Sequence, residues 1–455
     1  MEKVKQIDGI GQTNYYNMKG LIILISLWLV SQMFFFAKQS LDIGFRPDRV
    51  LIVVIVAIFL IQVMRKKIKI SKIGIVEIYM VLFTLLCTMS LILSGANADV
   101  SHGENKWLTN LFHITYFPFL IYFIMKQIEY SKQRTKIILV VLCGVGGYLG
   151  FTGISEHFGF DALVWPSYIM DSSIGTHWER VRGPFMESVA MGRILIVTLL
   201  CMLIMATECN GIKRLVLYVF SFLAAGSIYF TYTRGPWLGF GAALLLILTF
   251  RTKMQRPGAL LLIGILIVGV TGAGSKFSFF SDDSTLFSRR QDTVDDRAVS
   301  YITQFKMGTE NPLFGIGFGR FEAEWLNYFT PVPGIPFSSF DGSHNTFLGI
   351  FAETGAITLF LFLAILYHSF TMCLRTYKSL DEGETFERGL VVITMALTLM
   401  YVITGFVSDL RWNQLQNNLM FLFFGISASL AGRSQLGRRK TQHARSPQMG
   451  FQVTV

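Results

Sequence analysis

Charge is scarce in this sequence: only 15% of its 455 residues are Asp, Glu, Lys or Arg, while 52% are hydrophobic and the mean hydropathy is +0.50. That balance excludes an ordinary soluble surface and points to a chain whose surroundings are largely lipid. Cysteine is scarce too, at five residues. Cys87, Cys143, Cys201 and Cys373 fall in or at the ends of apolar runs, and Cys209 follows one on the expected inner side. No extracytoplasmic pair is left to form a disulfide, and no metal-ligand spacing occurs. A small-residue cleavage site is missing after the first apolar run, which therefore reads as an uncleaved signal anchor. Internal repeats of the kind that mark inverted-repeat transporters are missing as well.

Apolar sequence is what the chain has in abundance. Runs long enough to span a bilayer, about 20 residues each, begin near Leu21, Val50, Ile73, Trp107, Ile137, Val189, Leu215, Pro236, Ala259, His344, Gly389 and Trp412. The expected fold is an all-α polytopic membrane protein with about 12 transmembrane helices and a large periplasmic loop containing short helices. Residues 1–274 form an N-terminal membrane region of about nine spans, 275–343 the large loop, 344–430 a C-terminal membrane region of about three spans, and 431–455 a basic cytoplasmic tail.

The net charge of +11 could suggest a nucleic-acid partner, but the positions of the basic residues argue against it. With both termini cytoplasmic, 25 of the 40 Lys and Arg lie in inward segments, 14 lie outside and Arg193 lies within a span. The basic charge is thus mainly a topology signal and a means of meeting membrane lipids.

Against that bias, a few cations stand on the expected outer face. Arg180 and Arg182 precede the sixth span in Glu179-Arg180-Val181-Arg182-Gly183-Pro184-Phe185, after a loop carrying Trp165, Tyr168, His177 and Trp178. Arg234 lies in Thr233-Arg234-Gly235-Pro236-Trp237-Leu238-Gly239, where Gly235 and Pro236 suit a turn into a helix with proline at its first position. Arg297 stands near the start of a segment in which Asp295 or Asp296 can cap a helix with Ala298, Tyr301, Ile302 and Phe305 on its packed face. Asn311 to Arg320 reads as a tight glycine-rich turn rather than a dinucleotide fingerprint, because no strand-helix-strand unit surrounds it.

The stretch Asp341 to Gly355 organises the rest. Ser343 is the expected N-cap, His344 the first helical residue, and Leu348, Phe351 and Gly355 return to its face of a continuous helix. Glu353 falls on the opposite side. The helices starting at Pro236 and His344 both present their positive ends outward, and with the arginines they make an anion site reasonable there.

At these residues the chain resembles the O-antigen ligase and polysaccharide polymerase family of bacterial integral membrane proteins. The resemblance is carried by Thr233-Arg234-Gly235-Pro236-Trp237-Leu238-Gly239, by His344, Asn345, Leu348 and Gly355, and by Arg297 followed by Pro312, Gly315 and Gly317. Arg182-Gly183-Pro184-Phe185 adds a weaker match.

The resemblance implies a metal-independent glycosyltransferase of cell-surface polysaccharide biosynthesis, without a cofactor, in the bacterial inner membrane. It would move a glycan from an undecaprenyl diphosphate carrier to a glycan or lipid A core acceptor at the periplasmic face. His344 would act as base and Arg297 beside it, with Arg234, Arg182 and Arg180 on the donor diphosphate. Gly235, Trp237, Gly239, Asn345 and Gly355 would support the motifs. A polymerase must hold two lipid diphosphates, and pairing Arg234 with Arg297 and Arg180 with Arg182, backed by Arg289 and Arg290, leans the reading towards polymerase over ligase. The alternative is a lipid-linked oligosaccharide flippase or another transporter, which needs charge along a path through the bilayer. Arg193, Glu77, Glu353 and Asp409 are the residues that approach this.

Overall fold

A computed structural model describes residues 18–34, 47–94, 110–176, 178, 180–250, 252–272, 284–333 and 342–445, with the side chains of 266–272, 284–295 and 435–445 excepted. The elements are helical, and no strand occurs among the described residues. In chain order they are α1 (Met18–Phe34), α2 (Pro47–Met64), α3 (Ile75–Leu93), α4 (Phe117–Gln127, preceded by a π-helical turn at Phe112–Tyr116), α5 (Lys132–His157), α6 (Ser188–Glu208) and α7 (Gly211–Phe230). There follow α8 (Arg234–Thr249), α9 (Gln255–Gly272), α10 (Ser284–Glu310), α11 (Phe321–Tyr328), α12 (Thr346–Ser379), α13 (Thr385–Gly405) and α14 (Gln414–Arg445).

Every apolar run of the sequence overlaps a helix. Among the described residues, seven helices are long and apolar enough to cross a membrane: α2, α3, α5, α6, α7, α12 and α13. α6 is apolar on all sides, and 94% of its span is buried, as a helix enclosed by others must be. For α7 the share is 22%, so most of that helix faces outward with Val219, Phe222 and Leu215 exposed. Such an outer surface is stable only against hydrocarbon.

Four local expectations are corrected. α8 begins at Arg234, so Pro236 is its third residue; proline fits there because first-turn N–H groups have no partner within the helix. α10 begins at Ser284 rather than at Asp295 or Asp296. Its packed face is Val299, Ser300, Thr303, Gln304 and Met307, while Ile302 and Phe305 are exposed; Val299 and Met307 pack with Phe321, Trp325 and Ala352, and the polar residues between them make the bonds described below. α14 continues as helix to Arg445, into the basic segment that begins at residue 431.

The fourth correction concerns α12, which is broken. Gly355 has φ 85° and ψ 175°, far from helical values. The glycine-rich turn fills the break: the amides of Ile316 and Gly317 donate to the carbonyls of Ala352 and Glu353 (2.9 and 3.1 Å), and Ala356 N–H donates to Pro312 O (2.8 Å). Gly315 and Gly317 have φ 67° and 116°, and a Cβ at Gly355 would overlap the Leu313 carbonyl. Ser90 of α3 fastens the same junction, its hydroxyl bonding Phe314 O and Glu353 O and accepting from Phe318 N. Gly355→Ala is expected to lower stability by at least about 1–3 kcal/mol, the cost of a residue held in a glycine-only backbone region. Thermal unfolding of the purified variant in detergent checks this.

Candidate active site

The site is assembled on the loop between α13 and α14, residues 406–413. Asn345, not Ser343, caps α12: its Oδ1 accepts from the amides of Phe347 and Leu348 at 2.9 and 3.0 Å, while its Nδ2 donates to Phe406 O at 3.3 Å. Thr346 continues the seam, donating to Ser408 O and accepting from Leu410 N (2.9 and 2.8 Å). Ser343 is taken by α10, where Gln304 Nε2 donates to its hydroxyl at 2.7 Å. Ser300 donates to Gly342 O, and Tyr301 donates to Phe406 O at 2.9 Å and to His344 O at 3.4 Å. His344 is therefore half-buried just before the helix, its backbone clamped between α10 and the loop.

α8 reaches the same loop by close approach. A Cβ on Gly235 would lie 3.2 Å from Val407, and one on Gly239 would lie 2.8 and 3.0 Å from Met400 and Thr404 of α13. These two motif glycines thus set the contact between helices, and Trp237 packs edge-on against Tyr229 at 5.5 Å. Arg234 is exposed at the first position of α8, with its start aimed at the loop. The Thr233 side chain makes no cap bond to α8; its hydroxyl meets that of Thr231 instead. At α12, by contrast, Asn345 already occupies two first-turn amides.

Arg297 lies one turn before Tyr301 on α10, and its Nε is buried without a hydrogen-bond partner. Burial raises the Tyr301 hydroxyl above its ordinary pKa and Arg297 opposes that shift, which places the guanidinium within electrostatic reach of the group holding His344. Arg193 is buried beneath the corner: its neighbour Gly192 faces Pro236, whose ring would lie 3.1 and 3.3 Å from a Cβ placed there. Its Nη2 is 3.9 Å from Glu187, and its Nε and Nη1 lack partners.

Arg182 is placed differently from the sequence expectation. It is fully buried, donates to the carbonyls of Ile174, Ile169 and Asp171 at 2.6, 3.0 and 3.0 Å, and lies 4.7 Å from the Trp178 ring. Burial holds its pKa below the ordinary value, with Glu156 and Asp171 opposing. Arg182 folds its own loop and is not presented to a ligand. Arg180 beside it is half-buried. The side chains of Arg289 and Arg290, expected to support that pair, lie outside the described residues.

Beneath the loop runs a buried ionic bridge that the motifs do not announce. Arg411 bonds Glu353 at 2.6 Å and Asp409 at 2.6 Å, with side-chain exposures of 4, 1 and 2% respectively. Glu353 also accepts from Phe321 N at 3.2 Å, tying in α11. A Cβ at Gly349 would overlap the guanidinium, so glycine there is what admits it. Burial alone would lower the Arg411 pKa, but Asp409 and Glu353 outweigh it and raise it above the ordinary range. The signal was present in the sequence as Asp409 and Arg411 between apolar runs and Glu353 within one, yet nothing in the spacing pairs Glu353 with a partner 58 residues away.

The architecture is that of a multi-pass membrane protein with cations and a histidine gathered at one end of its helices. Residues 219–363 match the family model described as O-antigen ligase, and that match supports an O-antigen ligase or polymerase assignment. The match encloses Arg234, Arg297, His344 and the broken half of α12, and leaves the 406–413 loop outside it. A search of curated proteins finds no match.

Proposed function

We propose that this protein transfers a glycan from an undecaprenyl diphosphate carrier to an acceptor hydroxyl at the periplasmic face of the bacterial inner membrane, with both termini cytoplasmic. The observation that carries this reading is the convergence of the α8 start, the α10 face and the His344 turn on one loop. In the proposed step His344 takes the proton of the acceptor hydroxyl, whose oxygen attacks the anomeric carbon of the donor sugar. The bond from that carbon to the diphosphate oxygen breaks, and the departing diphosphate carries away the electron pair. Arg234 and Arg297 stabilise its charge, since guanidinium groups match phosphate oxygens in geometry as well as sign. Arg180 stands by as a rim cation.

The charges raised for a transport path support transfer instead. Arg193, Glu353 and Asp409 lie towards the His344 end, and Glu77 at the far end is paired with Lys126 at 2.6 Å. The acceptor is another lipid-linked repeat for a polymerase or a lipid A core for a ligase. With Arg182 committed to loop carbonyls, the second cationic seat that favoured polymerase keeps Arg180 alone among the described side chains.

Arg234→Ala and Arg297→Ala are each expected to weaken donor binding about tenfold or more, the size of one charge-assisted contact, and to slow transfer as well. Titration of the detergent-purified variants with a lipid diphosphate-linked oligosaccharide reads this directly. Unchanged donor affinity in both would remove the arginines from the diphosphate.

A further inference from the structure

At the end of the bundle opposite His344, a cavity of about 530 Å³ opens between the start of α3, the end of α4, the last turns of α12 and the middle of α14. Its size is within the range of small-ligand sites, about 300–1,000 Å³. α12 lines one side with His368 and Arg375, two turns apart on one face. α14 faces them with Ala428, Ala431 and Gly432, whose small size is what leaves the space.

The floor is a matched charge. Glu77 accepts from Tyr122 and Lys126 at 2.6 Å each and from the Gly74 amide at 2.6 Å. With Lys126 neutralising Glu77, Arg375 is left as a net positive charge on the rim, exposed and in no ion pair with a described residue. The positive end of the 19-residue α3 dipole points to the same place. Beside the mouth, Ile75 and Ile78 of α3 and Tyr367 of α12 are exposed, an apolar flank on which acyl chains can lie.

We propose that this cavity seats the phosphate headgroup of one anionic glycerophospholipid, with Arg375 on the phosphate and the acyl chains along α3 and α12. Charge complementarity selects the headgroup, and the apolar flank selects a lipid over a free anion. The proposal stands apart from the glycan-transfer reading and can fail without it.

The test uses the full chain in phosphatidylcholine nanodiscs doped with phosphatidylglycerol, with bound lipid counted by native mass spectrometry. The expected result is retention of one phosphatidylglycerol, weakened about tenfold or more in Arg375→Glu, the loss of a charge-assisted contact. Lys378→Glu makes the same charge change on the same helix outside the cavity and should leave retention intact. Ala431→Leu, which fills the cavity without altering charge, should abolish it. Equal losses in Arg375→Glu and Lys378→Glu, retention undiminished in Ala431→Leu, or no preference over phosphatidylcholine would each overturn the proposal. So would displacement of the lipid by inorganic phosphate alone, which would assign the seat to a free anion.

Discussion

His344→Ala is expected to reduce glycan transfer by about 10²- to 10⁴-fold, the usual contribution of a positioned general base, while donor binding stays near normal. The separation follows from the structure. Arg234 and Arg297 come from α8 and α10, and the His344 carbonyl held by Tyr301 is unchanged by the substitution. Asn345, not His344, caps α12, so the helix start survives. Asn345→Ala provides the contrast: loss of the cap costs about 0.5–2 kcal/mol and releases the loop at Phe406, so stability and rate fall together. Single-turnover transfer rates with saturating donor, read beside a melting curve, distinguish the two. Full activity of His344→Ala at normal abundance would end the assignment of the base.

The largest effect on stability is expected at Arg411. Its removal leaves Glu353 and Asp409 buried without their cation, and breaking a buried pair of this kind costs about 3–5 kcal/mol. Solvent screening gives little relief, because all three side chains are almost wholly enclosed. Arg411→Lys should recover part of the loss at most, since an ammonium cannot present the planar fork that bonds both carboxylates at once. The bridge also joins the broken half of α12 to the loop under the site, so transfer should fall with stability. An Arg411→Ala protein with an unchanged unfolding temperature would show that the bridge does not hold the loop.

Much of this architecture was legible in the sequence because it rests on local chemistry. Apolar runs gave helices at the expected places, and the turn at 311–320 behaves as a turn because Gly315 and Gly317 adopt positive φ. The details that eluded the sequence were decided by distant partners. Ser343 and Asn345 are both good caps by type, and the choice fell to Asn345 because Gln304 of α10 claims Ser343. The face of α10 was misassigned because Val299 and Met307 pack on Phe321, Trp325 and Ala352 while Ser300, Tyr301 and Gln304 bond the 342–344 turn and the Phe406 carbonyl, so polar residues interrupt the apolar pattern on the buried side. Continuity of α12 past Gly355 was a fair inference from an apolar run, but the carbonyls of Ala352 and Glu353 at the break accept from Ile316 and Gly317, far earlier in the chain, which no periodicity reports. Arg182, whose place before a span suggested a ligand, is consumed by carbonyls of its own loop. Least legible was the 406–413 loop, since backbone carbonyls at Phe406 and Ser408 leave no trace in residue type.

The account is tested most directly by incubating the purified protein with undecaprenyl diphosphate-linked oligosaccharide, alone and with a lipid A core acceptor, and analysing the lipid products. It predicts that the glycan leaves its carrier, free undecaprenyl diphosphate accumulates, and the sugar reappears either in a ladder of longer lipid-linked chains or on the lipid A core. A donor that stays intact in both mixtures, yet crosses a vesicle bilayer when the protein is reconstituted, would contradict it and make the protein a transporter.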